Sequence, residues 1–178
     1  MLLLLAASLL AGVAAAAGVT RQHFLAAELI EWNYLPLGVN GMDGTREGDL
    51  WQEAVPGQRI GPARMKALYV EYTDGSYTTR KARPAAELHR GFLGPLLRAE
   101  VGDTLQVTLR NNLPPALNIS VSAHPHGVRY TKASEGVPYE DATGGADKQD
   151  DAIAPGDQYT CVRGGAVCAP VVVAVGGG

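Results

Sequence analysis

From Leu117 to Ala123 the chain alternates apolar and polar residues one for one, Leu-Asn-Ile-Ser-Val-Ser-Ala, and runs straight into His124-Pro-His-Gly127. A period of two marks an extended strand with one face toward a core. His124 and His126 share the parity of Asn118, Ser120 and Ser122, so both imidazoles belong to the polar face. Side chains two apart on a strand project the same way, and the ring tips could meet one metal ion or two neighbouring ones. Imidazole suits copper, zinc, iron and nickel, so the spacing does not name the metal. Pro125 offers no N–H to a ladder, which favours an edge strand or a strand end. Gly127 removes a side chain where another group needs to approach. Taken alone, His-x-His reads more readily as an exposed strand end that carries two histidines than as a metal site.

The same period recurs elsewhere. Over Met65–Thr73, Ala67, Tyr69, Glu71 and Thr73 alternate with Leu68, Val70 and Tyr72, and Asp74-Gly75 supplies a turn. Over Leu96–Arg110, Leu97, Ala99 and Val101 share one parity, Gly102-Asp103 breaks it, and Leu105, Val107 and Leu109 resume it. That predicts two short strands joined at a turn, or one bent strand. Thr20–Tyr34 reads as the opening strand, although Ala26, Ala27 and Glu28 would also suit a helix. Leu35–Pro62, rich in Gly, Asp and Pro, reads as a long loop. Pro84 argues against one regular element over Thr78–Arg90. Gln158–Val162 is one more strand candidate, and Val171–Val175 is apolar and β-prone. Short strands separated by turns predict an all-β, antiparallel Greek-key sandwich.

The ends differ from the middle. Residues 1–17 carry no charged side chain and pass from a leucine run into small residues at Ala14–Ala17, the pattern of a cleaved secretory leader. A membrane anchor would need about 20 unbroken apolar residues, and Arg21 comes too soon. The rest of the 178 residues suffices for one domain. A net charge of −3 gives no sign of nucleic-acid binding. Export would permit a disulfide between Cys161 and Cys168, without requiring one.

Several ordered motifs carry a family resemblance: Lys66-Ala-Leu-Tyr-Val-Glu-Tyr-Thr-Asp74, Gly91-Phe-Leu-Gly-Pro95, Ala99-Glu-Val-Gly-Asp103, His124-Pro-His-Gly127, Lys132-Ala-Ser-Glu-Gly136 and Pro155-Gly-Asp-Gln-Tyr-Thr160. Together they resemble the first cupredoxin (plastocyanin-like) domain of the ceruloplasmin and hephaestin group of multicopper ferroxidases. The match spans roughly residues 20–160. The resemblance implies a cupredoxin-like sandwich over residues 18–160, incomplete at its C-terminus, and an atypical Gly/Ala/Val tail over 161–178. It implies copper as cofactor, with His124 on the type 2 copper and His126 on a type 3 copper. It also implies Fe(II) and O2 as substrates, in an extracellular or lumenal protein of iron transport. Membrane association would depend on a C-terminal part that this chain lacks. The family's second His-x-His has no counterpart, since no histidine follows His126, and the type 1 copper pattern is absent. The chain would therefore supply only part of the trinuclear site. Further cupredoxin domains, in cis or from another chain, would complete it.

The motifs are also similar to the A domains of coagulation factors five and eight, which lack the histidine pair. On that reading the chain is a non-catalytic, calcium-binding interaction module. The acidic stretch after Lys132 is either a solvated loop or a hard-cation site. The resemblance implies Ca²⁺ or Na⁺ there, held by the carbonyl of Lys132 and by Asp147, Asp150 and Asp151, with Glu135 and Asp141 nearby. His23 and His89 match no ligand position and read as ordinary surface residues. Trp32 and Trp51 read as packing residues. Asn118-Ile-Ser120 is a glycosylation sequon, but its place in an expected strand argues against its use.

Overall fold

A computed structural model of the chain describes residues 18–46 and 53–164. The leader, Trp51, Cys168 and the Val171–Val175 run lie outside the described residues. Among the described residues seven strands form: β1 (Thr20–Asn33), β2 (Ala54–Val55), β3 (Arg59–Ile60), β4 (Ala63–Tyr72), β5 (Thr104–Asn111), β6 (Arg129–Tyr130) and β7 (Gln158–Gly164). Among the described residues the only helical pieces are four short 3₁₀ turns. The fold is all-β and cupredoxin-like. One five-stranded sheet has the order β4-β1-β5-β7-β6, and β2 and β3 form a separate ribbon inside the stretch expected to be loop.

The sheet is mixed, not antiparallel throughout. β4 lies antiparallel to β1, but β5 lies parallel to β1 on its other side. The chain leaving β4 must cross to the far edge of β1, and the long connection between β4 and β5 makes that possible. β1 thus has ladder partners on both edges. That settles the ambiguity at Ala26-Ala27-Glu28 in favour of strand, because packing and pairing override a modest helix propensity.

β5 carries the cleanest alternation: Leu105, Val107, Leu109 and Asn111 are buried, and the residues between them are not. Leu25, Ala27, Tyr69, Val107 and Leu109 face a second layer that supplies Leu97, Leu113, Val121, Ala123 and Ile153. Burying side chains of the Leu and Val kind contributes about 1.5–3 kcal/mol each. This layer is largely irregular chain, and two strand expectations fail in it. Leu96–Val101 joins no ladder, although Leu97 is buried in the core. A turn closes there from Asp103 N–H to Glu100 C=O, and Gly102 adopts φ +99°. The Asp103 carboxylate accepts the N–H groups of Glu100 and Val19 and the Arg21 Nε–H. These bonds hold its pKa down to about 2, and the strand starts only at Thr104.

Leu117–Ala123 is not a strand either. Pro114 and Pro115 fix φ and remove donors, a 3₁₀ turn runs from Pro115 to Leu117, and Asn118 turns left-handed at φ 50°. The one pairing is the bridge between Val121 and Ile153, with N–H···O distances of 3.0 and 2.9 Å. Facing nonetheless follows the sequence from Val121 on. Val121, Ala123 and Pro125 are buried, Ser122 and His124 are half-buried, and His126 is exposed.

Two smaller expectations divide. Trp32 packs edge-on against Phe92, ring centroids 5.5 Å apart, as a packing residue should. His89 is exposed, but His23 is not an ordinary surface residue. Its side chain is only 13 % exposed and its Nδ1 lies 2.8 Å from Glu71 Oε1, because Glu71 pairs with Leu25 across β1 and β4 and so stands diagonally opposite His23.

Candidate metal centre

The histidine stretch begins where the Val121–Ile153 bridge ends, beside the short edge strand β6. Buried Ala123 and Pro125 anchor its inner parity, so the imidazoles of His124 and His126 take the outer one. Their ring centroids lie 5.0 Å apart with planes at 87°, and Tyr130 of β6 stacks edge-on to His124 at 5.9 Å. The rings are brought together, as the spacing requires.

His124 is oriented by backbone. Its Nδ1 lies 2.7 Å from the carbonyl oxygen of Glu135. A carbonyl only accepts, so Nδ1 carries the proton, and in the neutral ring Nε2 holds the free lone pair. A histidine that donates one ring N–H to a carbonyl and keeps the other nitrogen free is the usual arrangement at metals. The residues present fit copper as two members of a ligand set. Among the described residues no group of three or more His, Cys, Asp or Glu closes a site, so the other ligands would come from elsewhere.

Three residues that sequence reasoning missed brace this stretch. Gly136 sits at φ +71° against the backbone of Ala123, where an added Cβ would lie 2.3 Å from the carbonyl oxygen. Arg163, on β7 and 1 % exposed, donates from Nη2 to that same oxygen at 2.6 Å. Burial lowers its pKa, and its Nε and Nη1 have no hydrogen-bond partner. Asn111 ends β5 fully buried. Its Nδ2 donates to the carbonyls of Ile119 and Ile153, both at 2.9 Å, and its Oδ1 accepts Leu113 N–H at 3.0 Å. The left-handed glycine had a legible signal in its residue type; the other two had none. Arg163 lies past Thr160, since β7 continues to Gly164 and places Cys161 in the core as a free thiol.

The acidic loop is brought together only in part. Asp150 and Asp151 are buried, and Asp150 Oδ1 and both Asp151 oxygens lack hydrogen-bond partners. Asp150 Oδ2 accepts Gly136 N–H at 2.6 Å. Burial raises the Asp150 pKa and the Asp151 charge adds to the rise, against the pull of the Gly136 N–H. Asp147 is exposed on its 3₁₀ turn. The Lys132 carbonyl accepts Glu135 N–H at 3.1 Å. The Lys132 ammonium bridges Asp141 at 2.8 Å and Glu135 at 2.7 Å. Those bonds, Asp141 first, raise the Lys132 pKa, and the Asp141 carboxyl is lowered chiefly by Lys132. Lys148 Nζ stands 3.5 Å from Asp151 Oδ2.

Comparison with known proteins fits this architecture. Residues 69–162 match the family model described as multicopper oxidase. The chain is 42 % identical over 149 residues to the mouse protein named ferroxidase HEPHL1, covering 81 % of this chain and 12 % of that one. It is 39 % identical over 146 residues to human hephaestin, covering 80 % and 12 %, and 38 % identical over 145 residues to rat ceruloplasmin, covering 79 % and 13 %. The chain thus spans about an eighth of the length of these relatives. An all-β fold bearing two adjacent imidazoles, a matching family model over half the chain and these identities place the protein in the multicopper oxidase family, as a cupredoxin domain.

Proposed function

We propose that this chain is the first, histidine-bearing cupredoxin domain of an exported multicopper oxidase of the ferroxidase type. His124 donates to a type 2 copper and His126 to a type 3 copper. The observation that supports this most is the ring pair at 5.0 Å, with the His124 proton held at Nδ1 by Glu135 C=O. When bound, copper supplies the one-electron steps that couple Fe(II) oxidation to the reduction of O2 to water. The chain's own part is positional. The Glu135 carbonyl sets the His124 tautomer, and exposed His126 leaves one side open to ligands from further cupredoxin domains, in cis or on another chain. Residues 1–17 act as the export leader and the folded domain begins at residue 18. The decisive measurement is Cu(II) uptake by equilibrium dialysis, with O2-dependent Fe(II) oxidation measured on a longer product of the same gene. Loss of outer-shell support alone costs metal affinity 10- to 100-fold, so a His124→Ala, His126→Ala variant is expected to bind Cu(II) more than about 100-fold more weakly. Equal uptake by variant and wild type would sink the assignment.

Buried Asp150 Oδ1 and Asp151 Oδ1, which have no partner, support a Ca²⁺ or Na⁺ ion beside the copper ligands, with the Lys132 carbonyl and Asp147 completing it. A hard cation would relieve two neighbouring buried carboxylates and stiffen Gly136, which Asp150 holds. Calcium at 100 times its Kd is expected to stabilise the wild type by about 2.7 kcal/mol and to leave Asp150→Asn unmoved; thermal melts with and without calcium decide it. If the histidine variant proves neutral while this shift is present, the non-catalytic, calcium-binding module is the better description.

A further inference from the structure

We propose that Asn118 carries an N-linked glycan, a proposal that rests on the export reading above. Asn118-Ile119-Ser120 is the only Asn-x-Ser/Thr triplet in the chain, and its middle residue is not proline. The argument against its use was the expected strand, and that strand does not form. Asn118 caps a 3₁₀ turn in the left-handed region, φ 50° and ψ 39°, its N–H closing on Pro115 C=O at 3.0 Å. It is exposed, in a run of exposed residues from Pro114 to Leu117.

The surroundings separate the acceptor from the fold. Ile119 C=O is bound by Asn111 and Val121 pairs with Ile153, so the inward bonds of this segment begin just after Asn118. Glycosylation would cost no ladder bond and displace no buried side chain. In the transfer, Asn118 Nδ2 forms a bond to the anomeric carbon of an oligosaccharide carried on a lipid pyrophosphate. The carbon–oxygen bond to the pyrophosphate breaks, and Nδ2 loses one proton. The bound sugar would cover Leu117, which is 44 % exposed. It would also keep this rim facing solvent in any larger assembly, so a neighbouring domain must dock on another surface.

Translation of the full chain in vitro with rough microsomes tests this. The protease-protected product is expected to run one core oligosaccharide heavier and to return to unmodified mobility after peptide-N-glycosidase treatment. Asn118→Gln and Ser120→Ala each lose the shift completely, and Ser120→Thr keeps it. A protected product at unmodified mobility overturns the glycan while leaving export intact, and so does a shift that survives Asn118→Gln. If no product is protected, the export reading fails and the glycan falls with it.

Discussion

Replacing Asn111 with alanine is expected to cost the fold about 2–6 kcal/mol, because a buried backbone N–H and a half-buried carbonyl lose their partners at about 1–3 kcal/mol each. Asn111 is 0 % exposed, and its amide ties the end of β5 to three segments at once. Without it the Leu113 N–H and the Ile119 C=O have lost the bonds Asn111 makes to them. Ile153 C=O fares better, since it still accepts Val121 N–H at 3.0 Å. At roughly 2–4 °C per kcal/mol for a domain of this size, the melting temperature should fall by about 10 °C. Asn111→Asp should do no better: it keeps the shape but turns a carboxylate oxygen toward two carbonyl oxygens. Urea unfolding of both variants checks this. A midpoint shift worth less than about 0.5 kcal/mol, the range of an ordinary surface substitution, would show that the amide is not the tie described.

Gly136→Ala should be nearly as severe, about 2–4 kcal/mol, since it combines a left-handed φ with a collision against main chain. The added Cβ would lie 2.3 Å from Ala123 O, 2.7 Å from Ala123 C and 3.2 Å from Ala123 N. None of these is a side-chain tip that can swing away. Relief requires Ala123 to move, and Ala123 immediately precedes His124 and receives Arg163 Nη2. Glu135, whose carbonyl holds His124 Nδ1, immediately precedes Gly136. One methyl group is therefore expected to weaken both the fold and Cu(II) uptake. Urea denaturation and equilibrium dialysis on the same sample test the two halves. A variant that unfolds earlier yet binds Cu(II) as tightly as wild type would separate Gly136 from the histidines.

The local pattern carried far in some elements and failed in others. Leu105, Val107 and Leu109 could be read as an inward face because β5 has a partner on each side and one face in the core. The same alternation at Leu117–Ala123 misled. Two prolines precede it, Asn118 within it turns left-handed, and only Val121 finds a pairing partner. Facing survived the loss of the ladder because burial of Val121, Ala123 and Pro125, not pairing, sets which side is inward.

Residue type and spacing alone determined that the chain is all-β, that two imidazoles share one face and that an acidic loop follows them. Those properties depend on neighbours a few positions apart, and side-chain alternation is enough to express them. Tertiary structure alone decided the parallel pairing of β1 with β5, the Glu135 carbonyl that fixes His124, the Arg163 and Gly136 supports beneath Ala123, and the two inward aspartates. Each joins backbone or side-chain atoms from segments that meet only after folding, and a carbonyl oxygen is the same atom whatever residue bears it.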